Sequence, residues 1–171
     1  MSIRLFALDV DGVMTDGQLY YSADGEIMKA FNAQDGLGLV LLKKLGIEIA
    51  VISGKTSGPL IRRLDDIGIF HRRLNCSNKL EALNDICAEM DISPADVAFM
   101  GDDLIDMQVM EACGYALAPA NAVEAVRVVA NFISKKSGGQ GAVRDACEHL
   151  ALRIGHSLVA ALHQNSGKVR Q

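Results

Sequence analysis

The stretch Ile3-Arg4-Leu5-Phe6-Ala7-Leu8-Asp9-Val10-Asp11-Gly12-Val13-Met14-Thr15-Asp16-Gly17 decides how this chain is read. Its run from Ile3 to Leu8 is apolar but for Arg4, the pattern of a strand covered on both faces in a parallel sheet. Two aspartates follow, and period-two alternation puts Asp9 and Asp11 on one side, pointing into one site. Burying paired carboxylates costs several kcal/mol unless a cation and hydrogen bonds offset it. The pair therefore points to a divalent metal, a raised carboxyl pKa, or both; a solvated loop with two chance acids is the plain alternative.

Outward from this stretch, apolar runs of strand length at 47–52, 97–100 and 115–117 alternate with helical patterns. The helices are expected at about 35–45, up to about 66, at 77–90, from about 103, near 122–129, and as one long final helix over 142–163. Such alternation predicts an α/β fold, a doubly wound and mostly parallel sheet. Residues 18–31 break the rhythm: two strand-like runs around Ala23-Asp24-Gly25 predict a β-hairpin inserted after the first strand. Apolar residues on both hairpin faces (Leu19, Tyr21, Ile27 and Phe31 against Tyr20, Met28 and Ala30) call for something to lean on, most simply a partner subunit. Residues 1–163 are expected to form a single domain, with a mobile polar tail over 164–171.

Composition narrows the function. In 171 residues, 17 Lys and Arg against 21 Asp and Glu leave a net charge of −4, with no basic run and no Trp, which argues against nucleic-acid binding. The 50% hydrophobic content is enough for a core without disulfides or metals. The apolar N-terminal stretch is bounded too closely by Arg4 and Asp9 for a secretion signal, and no run has the length of a membrane span. Cys76, Cys87, Cys113 and Cys147 show no CxxC spacing and are expected to be free thiols of a cytoplasmic protein. His149, His156 and His163 recur every seven residues, a rise of roughly 10.5 Å per step, so they are expected on one partly exposed face and not as a ligand set.

Three further elements sit where strands end. Ser53-Gly54-Lys55 offers a hydroxyl and backbone N–H groups for a phosphate oxygen, though Ser-Gly is also a common turn. Lys79 stands near a helix start, where the helix dipole disfavours a cation; a surface lysine is the ordinary reading. Gly101-Asp102-Asp103-Leu104-Ile105-Asp106 repeats the acid cluster, and helix capping accounts for Asp103 and Asp106 better than for Asp102. Acids without accompanying His or Cys suit a hard cation, Mg²⁺ in preference to zinc.

Taken in order, an apolar strand with DxDG, a strand ending in Ser-Gly, a lysine, and an apolar strand with GDDxxD resemble the four motifs of the haloacid dehalogenase superfamily of phosphotransferases. The dehalogenase branch lacks the second aspartate, so Asp11 favours phosphate chemistry. More narrowly, DVDGVMTDG, the hairpin, FNAQDGLGL, ISGK, SNKL, GDDLIDMQVM and SGGQGAVRD resemble, over residues 3–150, the family of 3-deoxy-D-manno-octulosonate 8-phosphate phosphatases of lipopolysaccharide sugar synthesis.

The resemblance implies that Asp9 attacks phosphorus to form an aspartyl-phosphate, and that Asp11 protonates the leaving oxygen and then activates water. It implies Mg²⁺ held by Asp9, the main-chain carbonyl of Asp11, and Asp102, with Asp103 and Asp106 beside them. Ser53, Gly54 and Lys79 would cradle phosphate, and Lys55 or Arg144 would meet the substrate. Only 17 residues separate Gly17 from Asp35 and 25 separate Ser53 from Lys79, too few for a cap domain. In the resembling family four subunits assemble through their hairpins and a neighbour's C-terminal segment reaches the active site, so a homotetramer is expected. On that pattern Gly138, Gly139 and Gly141 give a flexible segment; a plain loop before the last helix explains them equally well.

Lys55 stands where many members carry Arg, and Asp145 where Glu follows the arginine. The rival readings are a related capless phosphatase for a nine-carbon ketodeoxy sugar acid phosphate, a non-catalytic oligomerisation module of the same fold, and a phospho-acceptor receiver domain. The last places its lysine after, not before, the final acidic strand end.

Overall fold

The structure, a computed structural model, describes residues 2–163; the expected tail over 164–171 lies outside the described residues. In chain order, β1 (Leu5–Leu8) leads into the hairpin β2 (Tyr20–Ser22) and β3 (Gly25–Met28), then α1 (Ala33–Lys44), β4 (Glu48–Ile52), α2 (Gly58–Asp66) and β5 (His71–Arg73). The second half runs α3 (Lys79–Met90), β6 (Val97–Met100), α4 (Met107–Ala112), β7 (Tyr115–Ala118), α5 (Glu124–Val129), β8 (Phe132–Ile133), α6 (Ala142–Arg153) and α7 (Leu158–His163). Six strands form one sheet in the order β5-β4-β1-β6-β7-β8. Every pairing in it is parallel, with Leu8 opposite Val51 on one side and Met100 on the other.

Burial on both faces explains the unbroken apolar runs. In β1, Phe6 and Leu8 enter one core with Leu39, Leu42 and Val143, while Leu5 and Ala7 enter the other with Leu83, Ile86 and Phe99. Helices α1, α2, α6 and α7 cover the first face and α3, α4 and α5 the second. The chain first builds outward from β1 through β4 to β5, then returns to the other side of β1 to add β6, β7 and β8. That reversal sets the C-terminal ends of β1 and β6 side by side and opens a crevice beyond them.

Several expectations need correction. The long helix over 142–163 is two helices, because Gly155 takes the left-handed conformation (φ +78°) after α6 and Ser157 starts α7 by accepting a hydrogen bond from the Ala160 N–H. The three histidines therefore do not share one helix face. His149 stacks on Phe132 with ring centroids 4.0 Å apart and contacts the Tyr115 hydroxyl at 2.9 Å, whereas His156 lies in the turn. Strands β5 and β8 had no expectation at all: His71-Arg72-Arg73 carries no apolar run, and β8 is two residues long. The helix expected from Asp103 opens as a 3₁₀ turn at Leu104–Asp106 and becomes α-helical only at Met107.

Gly138 and Gly139 lie in a loop before α6, and that loop is packed against the one that follows β1. Gly138 N–H donates to Asn121 Oδ1 at 2.6 Å, Gly139 N–H donates to the Val13 carbonyl at 3.2 Å, and Asn121 Nδ2 donates to the Gly12 carbonyl at 3.1 Å. The segment is packed as a brace behind the loop that follows β1. A Cβ on Gly138 would fall 1.9 Å from the Gly12 carbonyl oxygen, so only glycine fits. Gly138→Ala is accordingly expected to cost about 1–3 kcal/mol, as overpacking typically does. A lowered urea midpoint with unchanged slope would show it; an unchanged midpoint would mean the brace yields freely.

Candidate active site

Four strand ends supply the site, and in each the chain passes from a buried strand to a turn. Asp9 follows β1, with its N–H donating to the Met100 carbonyl at 3.0 Å, which ties the first acid to the end of β6. The turn after it is stapled by the buried Thr15 hydroxyl, which accepts the N–H groups of Gly12 and Gly17. Gly12 has φ +86°, and a Cβ there would lie 1.9 Å from Asp102 Oδ2. The close approach of the two acidic strand ends therefore requires glycine at that position. Gly101 is confined in the same way, its missing Cβ lying 2.4 Å from that of Asp106.

Lys79, the first residue of α3, is almost fully buried because Asn78 caps the helix and the lysine side chain runs inward. Its ammonium lies 2.9 Å from Asp9 Oδ2 and 2.6 Å from Asp106 Oδ1. Asp106, wholly buried, also accepts the N–H groups of Asp102 (3.0 Å) and Asp103 (3.2 Å), so one carboxylate orients both the lysine and the acidic turn. Asp103 caps the following 3₁₀ turn through the Leu104 N–H at 2.7 Å. Ser53, buried at the end of β4, accepts the Lys55 N–H at 3.2 Å, and its own N–H donates to the Arg73 carbonyl of β5.

Asp9, Asp102 and Asp106 each offer a carboxylate oxygen within 4.8 Å of the others. At an effective dielectric near 20, two such charges repel by about 3 kcal/mol or more, and the Lys79 ammonium pairs with Asp9 and Asp106 but not with Asp102. Burial first, then Asp106, pushes the Asp9 carboxyl up to about 6 although Lys79 pulls it down. Burial, then Asp9, Asp106 and Asp103, pushes Asp102 up to about 7. Lys79 stands above the ordinary lysine value: burial alone would lower it, but Asp9 and Asp106 outweigh that. Asp102 Oδ1 is buried with no hydrogen-bond partner. An orphaned carboxylate oxygen among like charges, in an all-oxygen donor set, fits a hard divalent cation.

These acids border an open cleft of about 400 Å³ that Asp9, Asp11, Ser53, Gly54, Lys55 and Asp102 line. Asp103 reaches it too, and Asp106 and Lys79 lie beneath it. Arg144 does not. It sits on α6, where its side chain pairs with Glu148 at 2.8 Å and its N–H donates to the buried Asp35 carboxylate. The neighbouring Asp145 accepts the Ser134 hydroxyl at 2.7 Å and is spent on holding the turn before α6.

Sequence reasoning missed three contributors. Leu19 and Ile105 give the cleft an apolar rim, and Lys29, just after β3, places its ammonium 2.5 Å from Asp11 Oδ1. No local pattern marks a hairpin lysine as buried.

Residues 74–145 match the family model of haloacid dehalogenase-like hydrolases. The chain is 42% identical over 154 residues to the 3-deoxy-D-manno-octulosonate 8-phosphate phosphatase of Escherichia coli (strain K12), covering 90% of this chain and 82% of that protein. Its fold matches the crystal structure of the phosphatase of that name from Moraxella catarrhalis, described in complex with magnesium ion, phosphate ion and KDO, at TM-score 0.83 and 39% identity over 93% of this chain and 87% of that one. The cobalt-bound deoxy-D-mannose-octulosonate 8-phosphate phosphatase of Haemophilus influenzae matches at TM-score 0.85 and 34% identity, over 99% and 94% of the two chains. Identity at this level over nine-tenths of the chain places it in the haloacid dehalogenase-like hydrolases, in the family of 3-deoxy-D-manno-octulosonate 8-phosphate phosphatases.

Proposed function

We propose that the cleft hydrolyses 3-deoxy-D-manno-octulosonate 8-phosphate to the free sugar acid and phosphate, with Mg²⁺ as cofactor. The observation that carries this reading is the cluster of Asp9, Asp102 and Asp106, of which Lys79 pairs with Asp9 and Asp106 while Asp102 Oδ1 is left buried and unpartnered. The relatives supply the substrate class and the array supplies the chemistry. A merely structural module of this fold would gain nothing from such a cluster.

Asp9, Asp102 and the main-chain carbonyl of Asp11 would hold Mg²⁺, which offsets the repulsion between carboxylates and substrate phosphate when bound. Asp9 attacks phosphorus as its P–O bond to the sugar breaks, forming an aspartyl-phosphate, and Asp11 gives its proton to the leaving oxygen. Asp11 then takes a proton from water, whose oxygen attacks phosphorus and frees Asp9. Lys79, held by Asp106, favours the ionised nucleophile and neutralises phosphate charge; Ser53 and the N–H of Gly54 hold its remaining oxygens. Lys55, at the cleft wall, suits the sugar carboxylate.

Residues 1–163 would act as one cytoplasmic domain, in keeping with four free thiols; among the described residues no helix is long and apolar enough to cross a membrane. The hairpin exposes Tyr21, Ile27 and Met28 (61%, 59% and 49%), which supports assembly into a homotetramer through that face, with Arg144 or the chain end of a neighbour completing the open cleft. Ile27→Asp should lower the mass seen by light scattering; an unchanged mass would put the interface elsewhere.

Phosphate release with Mg²⁺ across sugar phosphates, the eight- and nine-carbon ketodeoxy acids included, tests the activity. Preference for the eight-carbon acid is expected, with chelation abolishing turnover and Asp9→Asn lowering kcat by about 10³-fold or more at unchanged fold. Preference for the nine-carbon acid would keep the chemistry and replace the substrate. The raised carboxyls give a second test. Carboxyls with raised native pKa bind more protons folded than unfolded, so they favour the fold below about pH 4 and lose that advantage as pH rises through about 6 (Asp9) and 7 (Asp102). Metal-free Asp102→Asn should therefore gain thermal stability relative to wild type between pH 4 and pH 8, and Mg²⁺ should erase the gain; a difference flat with pH would contradict the crowding of these acids.

A further inference from the structure

The hairpin is inverted relative to an ordinary surface hairpin. Its Tyr21, Ile27 and Met28 face outward, whereas Glu26 and Lys29 turn their side chains in. The Lys29 side chain keeps 2% of its accessible surface, and its ammonium lies 2.5 Å from Asp11 Oδ1 and 3.0 Å from Glu26 Oε1. A lysine is buried to this degree only when paired. Both partners are acids, and one of them lines the cleft.

Asp11 needs such a partner. It lies beyond the end of β1, on a turn, and its carboxylate makes no other hydrogen bond among the described residues. Lys79 cannot serve it, being committed to Asp9 and Asp106. A short carboxylate side chain with no second anchor has several staggered orientations open to it, of which only some face the cleft. Lys29 removes that freedom. Because the contact engages Oδ1, the other oxygen, Oδ2, is left for the proton that passes to and from the reacting groups.

We propose that Lys29 is a positioning residue for the phosphatase reaction proposed above: it reaches across from the hairpin and fixes the Asp11 carboxylate in the orientation from which it exchanges a proton with the leaving oxygen. This rests on the reading of Asp11 as proton donor. It gives the hairpin a second task beside assembly, since the docking of β3 sets where the acid points.

Leaving-group dependence separates this role from a structural one. A sugar oxygen must be protonated as it departs; p-nitrophenolate leaves without help. Lys29→Met should lower kcat for the eight-carbon sugar acid phosphate by about 10- to 100-fold, a part of what general acid catalysis contributes, with KM within about twofold. In contrast, kcat/KM for p-nitrophenyl phosphate should fall less than about threefold, and Lys29→Arg should restore most of the lost kcat. Should Lys29→Met fail to fold, Lys29→Gln, which keeps a hydrogen-bond donor, reads the same split. Equal losses on both substrates would make Lys29 only a pin for the hairpin, a rise in KM alone would make it a substrate contact, and no loss would make the pair incidental; each overturns the proposal. Wild-type protein without Asp9-dependent phosphate release would instead overturn the phosphatase reading, and this inference with it.

Discussion

Asp9 and Asp106 share the buried ammonium of Lys79 with the half-buried Asp102 crowded against them, and the rest of the molecule is arranged to keep them there. Asp9, Asp102 and Asp106 would separate if their backbones were free to move, because each pair repels and water is excluded. They remain close because the segments that carry them, the end of β1 and the turn after β6, are tied to each other and to α3. Asp9 is tied to β6 through its own N–H, Asp106 is locked by two backbone N–H groups of the acidic turn, and Lys79 is brought in by a capped helix. What remains uncompensated is concentrated on Asp102, whose Oδ1 has no partner and whose carboxyl is pushed furthest from its ordinary value among the site acids. The strain of the site thus has a location, and that location is where a dication would be most favourable.

Holding charges this close requires backbones that approach closely, which explains where glycine is indispensable. Gly12 lets Asp102 lie against the first loop, and Gly138 lets the brace before α6 lie against Gly12 from behind. Asn121 connects the two, accepting from Gly138 and donating to Gly12. The loop that carries Asp11 is therefore clamped from both sides by segments distant in sequence, Asp102 on one and Asn121 with Gly138 on the other. Rigidity here has a chemical purpose, since a nucleophile or acid displaced by an ångström loses much of its effect.

The fold and the chemistry were legible in the sequence to different depths. Strand ends with acids were legible because their signal is local: an unbroken apolar run must be buried, and acids directly after it must be managed. The doubly wound order, the hairpin and the proximity of Asp9, Asp102, Ser53 and Lys79 all follow from that. Features decided by tertiary context were not legible. His71-Arg72-Arg73 is a strand only because β4 offers it an edge, and β8 is fixed by pairing with β7. Gly155 ended a helix that side-chain periodicity alone would have continued. The close packing of Gly138 was not legible because composition cannot distinguish glycine needed for freedom from glycine needed for lack of room.

Lys29 is the most instructive omission. Its neighbours Ile27 and Met28 are apolar, so patterning alone would turn the lysine to solvent and the apolar residues to the core. The reverse holds, and the reason lies in what the hairpin covers. A capless cleft has no second domain to exclude water or to aim its groups, so those tasks fall to the short segments at its rim. Leu19 at the start of the hairpin forms part of the cleft wall, and Lys29 at its end meets the cleft acid, so both ends of one insertion converge on the site while the apolar middle faces away. An insertion of about a dozen residues with its polarity reversed thus shapes the wall and orients an acid from the inside. On the outside it offers the apolar surface that a small sheet insertion needs to have covered if it is to be held in place.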